Sequence, residues 1–305
     1  MPGVLHTGYM GDIKENKYGF WGHKYSVHLG LAAVLLAASS AQIIGLPMLP
    51  LGFYAAMCLA TQVFYSISAI LPSLRSKTSS KSKLYFLLMT SNALLLALGV
   101  AWFWVDEKIY IIRVMSSGGF LYWPFLLLVG SYYPFRTHVT RIYPRLALLK
   151  PIVVGGVWAW WVTVVPVLFT HASGGHSNED CERVWHLFLY QGVLLSWVSA
   201  LSDFRDVEED RKQAFPTWAM LAESGRIKIL AAVCFLTLGA WICTRLMSDE
   251  ILQHSQACLL FLPYAAASIC TAALQKKRNP WFFVWAVDGI LFLTALCFYS
   301  ISWME

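Results

Sequence analysis

The sequence predicts an all-α polytopic membrane protein with nine transmembrane helices and a cytoplasmic N-terminus. Three observations predict it. Of 305 residues, 58% are hydrophobic and only 13% are charged, about half the charge that soluble domains carry. Apolar runs long enough to cross a bilayer recur along the whole chain. Lys and Arg gather in alternate connecting segments, as they do on the cytoplasmic side of membrane proteins.

In chain order, residues 1–26 are polar and hold Asp12, Lys14, Glu15, Lys17 and Lys24. They have neither the short apolar core nor the small-residue cleavage site of a signal peptide. The first span is therefore expected to be retained, and 1–26 to form a cytoplasmic segment ahead of a single membrane domain, 27–305. The apolar runs place spans at 27–46, 51–72, 84–105, 109–132, 149–170, 184–202, 227–247, 251–274 and 281–303. Strands alternating in polarity are missing, which excludes a transmembrane barrel. The connections are short and leave no room for a soluble domain.

With the N-terminus inside, 19 of the 23 basic residues fall on cytoplasmic segments. Lys108, Arg113, Arg183 and Arg245 are the exceptions. The net charge of +6 is then a topology signal and does not point to nucleic acid. Seven cysteines are present, six of them within or at the edge of apolar runs and Cys181 in an outside loop. No Cys-x-x-Cys pair suggests a zinc ribbon or a disulfide framework. Small packing residues are the simplest reading.

The polar chemistry concentrates on the cytoplasmic side. Residues 203–210 read Asp-Phe-Arg-Asp-Val-Glu-Glu-Asp, where the sixth apolar run ends. On a continued helix, Asp203, Asp206 and Asp210 share one face. Three carboxylates there repel each other and suit Mg2+ when a phosphate completes its shell. A solvated anchoring loop is the alternative. The fourth connection carries Tyr132, Arg136, Arg141, Arg145 and Lys150 between prolines. Its basic groups can oppose the acids and clamp a diphosphate, or serve only topology. The basic, hydroxyl-rich stretch from Arg75 to Lys83 is read as a flexible loop, with binding of phosphate or anionic lipid headgroups as the alternative. The outside stretch His171–His186 has metal-ligand residue types at no zinc spacing. Asp288, alone in the last span, is a candidate to support a site from behind its direct ligands. The aromatic content of 15% suits both carbocation walls and interfacial belts.

Together these features resemble the UbiA superfamily of intramembrane prenyltransferases. Asp203-Phe-Arg-Asp206-Val-Glu-Glu-Asp210-Arg211-Lys212 is similar to that family's second Asp-rich motif, on the loop after the sixth helix. The stretch through Thr217 and Gly225, the segment from Tyr132 through Arg141 to Lys150, and the Trp-rich fifth span also resemble the family. The pattern looks closest to a divergent bacterial branch. The resemblance implies a UbiA-like bundle in a bacterial inner membrane, with its active face cytoplasmic. It implies Mg2+ on Asp203, Asp206 and Asp210, which would be the catalytic acids. Lys150, Arg211, Lys212 and Arg141 would bind the diphosphate, with Tyr132, Thr217 and Asp288 behind them. The implied reaction transfers an isoprenyl group from its diphosphate to a lipophilic acceptor.

The sequence departs from the family at the first Asp-rich motif. Tyr65-Ser-Ile-Ser68-Ala-Ile-Leu-Pro72 stands where that box belongs, and positions 16–105 hold no Asp or Glu. Ala214 replaces a glycine common after the second motif. A second reading follows: a non-catalytic relative that binds isoprenoids or membrane lipids, or a subunit with a membrane-complex partner.

Overall fold

A computed structural model describes residues 18–75, 148–171, 178–212, 217–222, 224–249, 251–274 and 282–304. Among the described residues all regular structure is helical. Five helices there are long and apolar enough to cross a membrane, so the chain is a multi-pass membrane protein. The predicted spans 84–105 and 109–132 lie outside the described residues.

Helices α1 (Tyr18–Ile43) and α2 (Leu51–Arg75) form a hairpin. Its turn follows from one glycine. Gly45 takes φ +78°, a conformation that L side chains rarely adopt. Leu46 N–H then bonds Ala41 O at 2.8 Å and Gly45 N–H bonds Gln42 O at 2.9 Å, which satisfies the last carbonyls of α1. Helix α1 starts at Tyr18, ahead of the apolar run expected from 27. Backbone hydrogen bonding carries a helix through polar residues where the bilayer no longer requires apolar ones.

Helix α3 comprises Lys150–Ala159, a π-helical turn Trp160–Val164, and Val165–His171. Pro166 lies two residues beyond the π turn. A proline inside a helix has no N–H and crowds the carbonyl four residues back, and a widened turn relieves that crowding. Helix α4 (Asn178–Lys212) has 35 residues, about 52 Å of helix at 1.5 Å per residue. The hydrocarbon core is about 30 Å thick, so α4 projects beyond it. The acidic motif 203–210, expected on a loop by family resemblance, lies instead on this continued helix. Then come the short α5 (Trp218–Leu221), α6 (Gly225–Ser248), α7 (His254–Ala273), and α8, a π turn Phe283–Val287 followed by Gly289–Ser302.

Helix α4 is central. It packs on α3, α5, α6, α7 and the π turn of α8. It meets α3 closely at Gly155, where an added Cβ would collide with the backbone of Ser196. Gly239 of α6 similarly admits the Tyr264 ring of α7. Helix α6 is peripheral, and Ile229, Leu230, Val233 and Trp241 face outward, where a bilayer would solvate them. Paired contacts give the directions. Lys150–Asp203 and Thr163–Gln191 make α3 and α4 antiparallel. His28–Asp288 and Gln42–Ser302 make α1 and α8 parallel. One end of the bundle therefore gathers the start of α1, the end of α2, the start of α3, the end of α4, the start of α6, the end of α7 and the start of α8.

Polar side chains fasten the interior. Gln191 of α4, fully buried, donates Nε2–H to Ser40 Oγ at 2.7 Å. Its Oε1 accepts from Thr163 Oγ1, in the π turn of α3, at 3.0 Å. Ser40 in turn donates to Leu36 O at 2.6 Å. Tyr190 Oη donates to Leu260 O at 2.7 Å, and Tyr264 Oη returns a bond to Tyr190 O at 2.8 Å. Trp158 Nε1 donates to Tyr65 Oη at 2.7 Å and Trp161 Nε1 to Thr61 Oγ1 at 3.2 Å, tying α3 to α2. With no water in a bilayer core, such groups must find partners within the bundle.

Candidate functional site

The gathered end holds the chemistry. Asp203, at the last turns of the apolar part of α4, is 2% exposed. Its carboxylate is ion-paired with Lys150 Nζ, from the first residue of α3. Helix α3 begins with no side-chain cap and no acid in its first turn. Its unpaired N–H groups and Lys150 therefore add positive charge at the same point. Asp203 supplies the opposing charge from a different helix. The pair is also what makes burial of either group tolerable, since an uncompensated charge at such depth is costly.

Helix α5 packs on α4 beside this pair. Trp218 Nε1 donates to Leu148 O, two residues before Lys150, at 2.6 Å, so α5 is tied to the entry of α3. Thr217, which opens α5, is 1% exposed. Its extended backbone suits an N-cap, yet its side chain makes no cap bond, and Oγ1 has no hydrogen-bond partner. Near the start of α6, Lys228 is buried. Its Nζ donates to Leu274 O at 2.8 Å, a cation at the negative end of α7. It also lies 5.6 Å from the Phe204 ring centroid, within cation–π range.

The sequence-predicted site residues separate into three groups. Lys150 and Asp203 are brought into direct contact. Thr217 is carried to the same end on α5, and Arg211 lies exposed on α4, two turns beyond Asp203. Asp288 does not join them in any described contact. It sits after the π turn of α8, where its carboxylate meets His28 Nε2 of α1 at 3.2 Å. The backbone of Asp206, Asp210 and Lys212 is helical, and their side chains lie outside the description. Tyr132 and Arg141 lie outside the described residues altogether. The sequence reading missed Lys228 as a buried group, and it missed Ser40, Thr163 and Gln191. Gln191 had a legible signal, being a carboxamide in the middle of the span 184–202.

Among the described residues no three His, Cys, Asp or Glu side chains converge as a metal-ligand set. Asp203 has the hard oxygen donors that Mg2+ prefers. With the Lys150 ammonium against it, a cation is repelled unless an anion occupies Lys150. One carboxylate already paired with an ammonium does not make a cation site by itself, so the described residues do not fit Mg2+ alone. No family model, no curated protein and no solved structure matches this chain.

Proposed function

We propose that the chain is an intramembrane prenyltransferase of UbiA-like architecture that binds an isoprenyl diphosphate at the Asp203–Lys150 end of its bundle. The observation that carries this reading is the convergence of an acid from α4 and a base from α3, at the end of the helix that bears Asp206, Asp210 and Arg211. A diphosphate draws Lys150 toward its own oxygens through charge-assisted hydrogen bonds, and Asp203 is released to face a cation. Bound Mg2+ would neutralise charge on the leaving diphosphate. In the transfer, the donor C1–O bond breaks with its electron pair leaving on diphosphate. The acceptor's nucleophilic atom bonds C1 and gives up its proton to the departing diphosphate. The residues that hold the diphosphate stabilise the charge that develops as it leaves. Helix α2 ends and α3 begins on the same side of the bundle, the parity that two intervening spans in a nine-helix chain require. In this reading that side is cytoplasmic, in a bacterial inner membrane.

The test is equilibrium binding of a non-hydrolysable farnesyl diphosphate analogue to detergent-purified protein, with and without Mg2+. Wild type should bind in a Mg2+-dependent way and Asp203→Ala/Asp206→Ala should not. Binding that ignores both Mg2+ and the acids would overturn the assignment. A second reading rests on the acid-free stretch 16–105: a non-catalytic isoprenoid- or lipid-binding protein, or a subunit of a membrane complex. It expects no diphosphate release from any allylic donor, and Mg2+-dependent release by the purified protein would remove it.

A further inference from the structure

At the opposite end of the bundle, His186 near the start of α4 touches two acceptors. Its Nδ1 lies 2.9 Å from Glu182 O, one turn back on the same helix. Its Nε2 lies 2.9 Å from the Asp249 carboxylate, in the turn after α6. A carbonyl and a carboxylate only accept hydrogen bonds. A neutral imidazole carries one N–H, so it can satisfy one of them and must turn a lone pair toward the other. Only the imidazolium donates to both.

We infer that His186 is a proton-operated clip, which fastens the outer turns of α4 to the α6–α7 turn when the ring is doubly protonated and releases it when the ring is neutral. The charged groups described at this end of the elements that meet here are few. Helix α4 offers Glu182 and Arg183, α6 offers Arg245 and Asp249, and α7 begins with His254. Arg245 lies 5.9 Å from the Trp241 ring centroid. Ser248 Oγ shares its one proton between Arg245 O at 2.9 Å and Asp249 Oδ1 at 3.2 Å, and the other carboxylate oxygen, Oδ2, faces His186. What the clip controls is mechanical. Helix α4 runs from this contact to Asp203, so loosening its outer turns frees the helix at one end while the Lys150 pair holds the other.

The direction follows from the bond. The protonated ring makes the contact, so the clip is closed in acid and opens as pH rises. The test is hydrogen–deuterium exchange of the full chain in nanodiscs, across the range about pH 5 to about pH 8, corrected for intrinsic exchange. Protection of the 182–190 and 245–252 segments should fall by about tenfold across it, the loss of one charge-assisted bond. Asp249→Asn decides the mechanism. The carboxamide that this substitution introduces can donate its N–H to a neutral Nε2 while Nδ1–H keeps Glu182 O, so the clip should stay closed at every pH. His186→Ala should be open at every pH. Wild-type protection that does not change with pH overturns the inference, as does an Asp249→Asn variant that is as pH-sensitive as wild type.

Discussion

Asp203 and Lys150 stand 53 positions apart in the sequence and form one ion pair, which joins the end of α4 to the start of α3. Asp203 is the more buried partner, so the two groups are unequal. Removing the lysine takes the counter-charge from a deeply buried carboxylate, whereas removing the acid leaves a lysine that can reach toward water.

Lys150→Ala should therefore cost about 3–5 kcal/mol of stability, the range for breaking a buried ion pair by removing one partner. Asp203→Asn should cost less. Lys150→Met/Asp203→Leu should recover most of the loss, because two apolar groups of similar volume need no compensation. Unfolding in detergent, read as a double-mutant cycle, checks this. Additive losses would show that the two residues are not coupled.

Ligand binding should separate the roles of the pair. Chelation of Mg2+ should weaken binding of the farnesyl diphosphate analogue by about tenfold or more, while Asp203→Asn should bind weakly with no response to Mg2+. Lys150→Gln should weaken binding in both conditions, since in the proposed complex the lysine turns to phosphate. Isothermal titration of each protein with and without Mg2+ reads each effect.

Two adjacent glycines on α3 should behave in opposite ways. At Gly155 a methyl group meets the Ser196 backbone of α4, while at Gly156 it meets nothing within 4 Å. Gly155→Ala should lose about 1–3 kcal/mol by forcing the helices apart. Gly156→Ala should gain up to about 1 kcal/mol from helix propensity. Melting temperatures of the two variants make the comparison.

Gln191→Leu should cost about 1–2 kcal/mol, the upper part of the range for interhelical hydrogen bonds in membranes. It strips the acceptor from Thr163 Oγ1, whereas Ser40 keeps its bond to Leu36 O. Thr163→Val in the same background should then add little. If Thr163→Val costs as much on top of Gln191→Leu as it does in wild type, the two side chains are not linked.

The sequence by itself determined that the chain is helical and crosses a membrane several times. Run length and composition carry that information locally: about 20 apolar residues must form a helix in lipid, since every backbone polar group needs an internal partner. It also determined that Asp203, Asp206 and Asp210 would share a face if α4 continued, because 3.6-residue periodicity follows from spacing alone. The tertiary structure decided that α4 does continue. It also chose which charges meet: Lys150 with Asp203, His28 with Asp288, His186 with Asp249. No local pattern encodes those pairings, because each depends on the rotation and depth of two helices far apart in the chain. The π turns at Trp160–Val164 and Phe283–Val287 were equally illegible, since one extra residue per turn changes the register of a face without changing its composition. Burial then set the chemistry, because a charge in lipid is tolerated only where packing has already placed its counterpart.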